Sequence, residues 1–193
     1  MHAANRFAFK EWAVICAALG AGRQSLILRK GGIHEGRDGF RVEHSEFWLF
    51  PTNFHQADDD LTEDYRDLWE TVRRNPPLAE TISLRLYAVV EQAVELADEA
   101  ALPRLTGLHG WSERAIRERF HYKRPGLFAL LVRVFELPDE LPLPNAPHFA
   151  GCRSWVELPD PLPTSNLRPV LSDAEHAARR DLLRERLLQG TGA

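Results

Sequence analysis

Residues 25–56 read SLILRKGGIHEGRDGFRVEHSEFWLFPTNFHQ, and two short apolar runs bracket a polar centre. The first run, Leu26-Ile27-Leu28, enters Arg29-Lys30-Gly31-Gly32. The polar centre carries His34, Glu35, Glu43, His44 and Glu46. The second run, Phe47 to Phe50, stops at Pro51, which has no N–H to give a ladder. Thr52, His55 and Gln56 follow it. As a strand, the second run puts Glu46 and Trp48 on one face and Phe47 and Leu49 on the other. Polar, titratable groups gathered on segments between strands are where binding and chemistry concentrate.

Upstream, Phe9 to Leu19 reads as a first strand or a short helix. Gly20-Ala21-Gly22 is a turn, and Arg23 to Leu28 the return strand, so the pattern predicts a hairpin. Downstream, Phe40 to Val42 reads as a short strand. Asp58-Asp59-Asp60 precedes Leu61, Tyr65, Leu68, Trp69 and Val72, a helical stripe that Asp60 caps with Glu63. Ile82, Leu84 and Leu86 alternate with polar neighbours, so residues 81–96 read as strand. Ser112 caps a helix through about His121. The unbroken apolar run Leu127 to Phe135 suggests a central strand covered on both faces. Prolines 138, 142, 144 and 147 mark an extended loop, and Ser154 to Leu158 the last strand. Residues 1–158 thus form one domain, 159–171 a proline-rich linker, and 172–193 a helix opened by the capping box Ser172-Asp173-Ala174-Glu175.

The chain has 193 residues and a net charge of −4, which gives no global signature for nucleic acid. No run reaches the length of a membrane span and no signal peptide is recognisable, so a cytoplasmic protein is expected, without a membrane partner. Its two cysteines, Cys16 and Cys152, sit in apolar surroundings and read as buried free thiols. No spacing demands a metal or a cofactor, and the phosphate-loop pattern is absent.

Three groupings carry possible chemistry. Arg29, Lys30 and the amides of Gly31 and Gly32 can hold an anion. His44, Thr52, His55 and Gln56, with Glu46, can bind a ligand. Lys30, Glu35, Glu46 and His55 are the catalytic candidates. Finally, residues 104–133 are basic, carrying Arg104, Arg114, Arg117, Arg119, Lys123, Arg124 and Arg133 against Glu113 and Glu118. Trp111, Phe120, His121 and Tyr122 interleave with them, a mixture suited to single-stranded nucleic acid. Trp111, Lys123 and Arg124 are its ligand-binding candidates. The plainer reading is a solvated arginine face paired to the acidic stretch 57–80.

The order of segments resembles the bacterial family known as domain of unknown function 1802. The likeness rests on KEWAVICAAL at 10–19, LILRKGGIHE at 26–35, VEHSEFWLFPTNFHQ at 42–56, LHGW at 108–111, KRPGLFALLVRVFEL at 123–137 and GCRSWVEL at 151–158. That family implies no established activity; some relatives are said to carry a restriction-endonuclease-like domain, which implies DNA or RNA metabolism linked to restriction or defence. A looser likeness is to the PUA/ASCH group of small β-barrels. It rests on the turn Gly22-Arg23-Gln24-Ser25, on Leu28-Arg29-Lys30 and on Lys123-Arg124-Pro125.

The expected fold is α+β: a mixed, largely antiparallel sheet curled into a partial PUA-like barrel, with flanking helices and a C-terminal helix. The leading function is a nucleic-acid-binding module of PUA/ASCH-like type. The competing readings are a hydrolase acting on nucleic acid or a modified base, and an interaction subunit. In the last, residues 172–188 would hold a protein partner or a second copy.

Overall fold

The computed structural model describes residues 1–30, 42–53, 58–76, 80–151 and 153–188. Strand β1 (Ala4–Trp12) runs straight into helix α1 (Ala13–Gly20), followed by β2 (Leu26–Arg29), β3 (Glu46–Thr52), α2 (Arg66–Arg74), β4 (Thr81–Leu96), α3 (Glu113–His121), β5 (Leu127–Pro144), β6 (Trp155–Pro163), β7 (Arg168–Pro169) and α4 (Asp173–Leu188). The strands form one sheet in the order β2-β5-β4-β3-β1-β6, with β7 paired to β5. Every pairing is antiparallel except β1 with β3.

The expected hairpin is not formed. β1 and β2 lie at separated places in the sheet, with α1 between them in sequence. The cause is burial: Val14, Ile15, Cys16, Ala18 and Leu19 are all inside, so α1 is apolar nearly all round and shows no helical period. Gly22 then turns the chain with φ +66, a conformation that favours glycine, and a Cβ there would also have to displace the Leu171 side chain, whose Cδ2 would stand 2.6 Å away.

The sheet curls but does not close into a barrel: β2 and β6 are its two ends. Alternation along β3 sorts its side chains as expected. Phe47 and Leu49 enter the core under the helices, while Trp48 and Phe50 join Leu84, Tyr87, Phe149 and Leu158 on the other face. β5 is longer than its apolar run. It continues past Pro138, where the ladder with β4 breaks register, to pair Pro142 with Ser83 and Pro144 with Thr81. The extended loop expected at prolines 138, 142 and 144 is therefore strand. The expected Asp60 cap is also absent: α2 begins at Arg66 with no side-chain cap, and Asp60 receives Arg114 at 2.7 Å instead. Ser112 does cap α3, accepting from the Ala115 N–H. Cys16 is a free, buried thiol, and burial raises its pKa well above the ordinary range. Cys152 and nearly all of the short strand expected at 40–42 lie outside the described residues; Val42 itself is not in a strand.

Residues 159–171 contain the second half of β6, which pairs Leu162 with Asn5 and Pro163 with Ala4, and all of β7. The capping box at Ser172 and Glu175 is formed in both directions. α4 lies on its own domain: Leu183 is fully buried, Arg179 donates to the carbonyls of Gly22 and Arg23, and Arg133 pairs with Asp173. Leu183→Ala should therefore lower the unfolding free energy by about 2 kcal/mol, the low end for a buried leucine, because a terminal helix can shift to close the gap. Urea denaturation would measure it, and an unchanged midpoint would mean that α4 adds nothing to the core. Among the described residues no helix is long and apolar enough to cross a membrane.

Candidate functional site

The curl of the sheet brings the ends of β1 and β2 together. Glu11, at the end of β1, is 1% exposed and accepts the N–H of Trp12 at 2.7 Å. Its second oxygen faces Arg29 Nη1 at 3.9 Å across the open seam. Arg29 also donates to Ser154 Oγ at 2.7 Å and lies over the Phe9 ring, 4.8 Å from its centre. The Nε–H of Arg29 is buried without a partner among the described residues. Arg119 of α3 stacks on Trp111, 3.6 Å from the ring centre, and lies 4.9 Å from Trp12. Burial pulls the Arg119 pKa down to about 10, against the pull of Glu11 and with the push of Arg29. Two arginines and one carboxylate thus share a mostly buried site walled by aromatic rings, where charge interactions are strong.

Lys30, the next residue along, turns the other way. Its ammonium donates to the carbonyls of Phe120 and Gly126, each at 2.8 Å, and to that of Arg124. A lysine that collects the carbonyls at a helix C-terminus meets both the orphan acceptors and the negative end of the dipole. Burial, and then the neighbouring Arg124, lower its pKa.

These bonds pin a short turn after α3. The Arg124 N–H donates to the carbonyl of Tyr122 at 2.8 Å, two residues back, so the chain folds tightly about Lys123. Lys123 has φ +61, the one positive-φ residue other than glycine among the described residues. A tight turn of this hand is rare and strained. It leaves Tyr122 half exposed, with the Lys123 ammonium 5.5 Å from its ring centre and Arg124 exposed beside it.

A second location forms at the start of β3. An open cavity of about 390 Å³ is lined by His2, Asn5, Phe7, His44 and Glu46, among others. His44 stacks on Phe7 at 3.7 Å between ring centres. Burial lowers its pKa, with Glu43 and Glu157 opposing. Glu46 accepts the Tyr87 hydroxyl at 2.8 Å and the His2 N–H at 2.9 Å. Burial acts to raise the Glu46 pKa, but those hydrogen bonds and the N-terminal ammonium outweigh it and hold the carboxyl below its ordinary range. Ionised and already hydrogen-bonded, Glu46 suits orienting Tyr87 better than giving up a proton. Asn5 completes the network, donating to Tyr87 and to the carbonyl of Glu46.

The structure therefore separates the sequence-predicted residues. Arg29 is at the Glu11 cluster, and Thr52 reaches it through the Glu11 carbonyl at 3.2 Å. Lys30, Lys123 and Arg124 share the turn after α3. His44 and Glu46 line the open cavity. Trp111 is buried against Arg119. Gly31, Gly32, Glu35, His55 and Gln56 lie outside the described residues. Sequence reading passed over Glu11, Asn5, Tyr87 and His109 as site residues, and took Arg119 only as one cation of the basic stretch. Glu11 did leave a trace, as an acid isolated between a lysine and an apolar run.

A family model described as domain of unknown function (DUF1802) matches residues 8–181. No curated protein matches. Among solved structures, the chain is similar to crystal structures of ASCH from Zymomonas mobilis. A tyrosine-to-phenylalanine mutant of that protein gives a TM-score of 0.45 at 15% identity, over 91% of this chain and 96% of that one. A serine-to-alanine mutant gives 0.43 at 15% identity over 95% and 99%, and the unmutated protein 0.41 at 15% over 93% of each.

Proposed function

The chain belongs to the DUF1802 family, whose description prescribes no activity, and from its own surface we propose that it is a nucleic-acid-binding module that grips single strands through the turn at Tyr122-Lys123-Arg124. The observation that carries this reading is an exposed aromatic ring flanked by two exposed cations on a turn held rigid from below by Lys30. Other cations of the basic stretch are already paired with acids of the protein's own surface. Arg114 pairs with Asp60 and Glu118, Arg117 with Glu99 and Glu113, and Arg133 with Asp173. Among the described residues Lys123 and Arg124 have no acidic partner. A base can stack on Tyr122 while the cations meet flanking phosphates, a combination that tolerates any sequence. The strain stored at Lys123 fits the same reading, since strained residues cluster where a surface is shaped for contact.

Fluorescence anisotropy with single- and double-stranded DNA and RNA, at two salt concentrations, tests it. Lys123→Glu with Arg124→Glu should weaken binding to every oligonucleotide and flatten the dependence of log affinity on log salt by about 1.5 to 2 units. Tyr122→Ala should weaken single strands by about 1–3 kcal/mol and leave duplex binding nearly unchanged. Wild-type protein that binds no oligonucleotide at micromolar concentration in low salt would end the reading.

A further inference from the structure

A second cavity lies between the helical turn at Glu99–Leu105 and the first half of α3. Its volume is about 240 Å³, several times the ~30 Å³ share of one water. Leu102, Pro103, Ile116 and Trp111 make most of its wall apolar. We propose that it binds a small uncharged molecule with an apolar ring and one hydrogen-bond acceptor.

His109 selects the acceptor. It lines the cavity and is only 6% exposed. Its Nδ1 accepts the N–H of Trp111 at 3.1 Å, so the ring proton sits on Nε2. No described residue receives that Nε2–H. Burial pulls the His109 pKa down to about 4, so the ring is neutral and keeps this tautomer in neutral solution. That donor is left available to the cavity, where a ligand carbonyl can accept it. Thr62 and Thr106 also line it, and a threonine hydroxyl can donate or accept.

The charge at the mouth selects against ions. Arg117, the one cation on the wall among the described residues, is matched by Glu113 at 3.0 Å and Glu99 at 3.4 Å. An anion would lose its hydration and meet the Glu113 carboxylate and an arginine already neutralised, whereas a neutral ring meets Trp111 and aliphatic carbon. The cavity adjoins the first half of α3, and the basic turn follows its last residue, so this site does not depend on nucleic-acid binding.

The probe is benzamide, followed by NMR of the ¹⁵N-labelled full chain at the Trp111 backbone and indole N–H groups. Benzoate and toluene are the comparators. Benzamide should shift both signals with a dissociation constant of about 1 mM, as befits so few atoms. Benzoate should bind at least roughly tenfold more weakly. His109→Asn keeps an oxygen acceptor for the Trp111 N–H but removes the Nε2–H. It should weaken benzamide about tenfold and leave toluene unchanged. Thr106→Phe, at the rim, should abolish both. The inference is overturned if benzamide at about 10 mM, well above the expected constant, leaves Trp111 unmoved. It is equally overturned if binding survives Thr106→Phe or ignores His109→Asn. Should His109→Asn fail to fold, toluene and benzamide on Thr106→Phe still decide whether this cavity is the site.

Discussion

Arg29→Met should destabilise the protein by about 3 kcal/mol, because it strips the cation facing Glu11 from an almost fully buried carboxylate. Removing one partner of a buried pair leaves a charge that has lost its water and gained nothing in return. The expected loss is at the low end for such pairs, since the closest approach is 3.9 Å and Arg119 remains nearby. Arg29 also supplies the hydrogen bond to Ser154, which holds the segment before β6 against the end of β2. Methionine keeps most of the contact with Phe9, so lost packing is a minor part. The double variant Glu11→Gln with Arg29→Met should recover more than half of the loss, because no buried charge is then stranded. Urea denaturation of the four proteins measures the cycle. An Arg29→Met midpoint equal to wild type would show that the seam does not depend on this pair.

The largest expected pH effect comes from His109. Its folded-state pKa is about 4, whereas an imidazole in the unfolded chain titrates near 6.5. The unfolded state therefore binds the proton first as pH falls. The stability that His109 contributes is fully present above about pH 6.5 and is lost as pH drops toward 4, by about 3 kcal/mol in all. His109→Asn should remove this slope. The contrast isolates His109 from Glu46, Asp67 and Glu175, whose lowered carboxyl pKa values also cost stability on the acid side and are unchanged in the variant. Parallel stability curves for the two proteins between pH 7 and pH 4 would contradict the assignment.

Much of the sheet was legible because its strands obey a period. β4 alternates along Ile82-Ser83-Leu84-Arg85-Leu86, β3 sorts Phe47 from Trp48, and the unbroken run of β5 marks a strand buried on both faces. α1 was not legible, since a helix buried on nearly every side has no polar face to set its period. Prolines misled at β5 and β6, where they sit in strands that tolerate missing donors. The candidate sites were harder still. The partners of Glu11 come from β2 and α3, and those of Glu46 from β4 and the first residues of the chain. Lys30 stood out as one of three lysines beside two glycines, yet its ammonium is held by carbonyls some ninety residues away. Only topology brings such groups together, and no local spacing encodes it.

The prolines at the outer strand bear on what the exposed edge of the sheet can recruit. β6 has β1 on one side and, among the described residues, no strand on the other. An exposed edge of this kind ordinarily recruits further strands and seeds aggregates. Yet Pro159, Pro161 and Pro163 all lie in β6, and each lacks the N–H that an incoming strand would need. Thr164 donates its N–H inward to the carbonyl of Ala3, which turns the vacant nitrogen of Pro163 outward. The same residues that disguise the strand in the sequence blunt it as a template for fibrils.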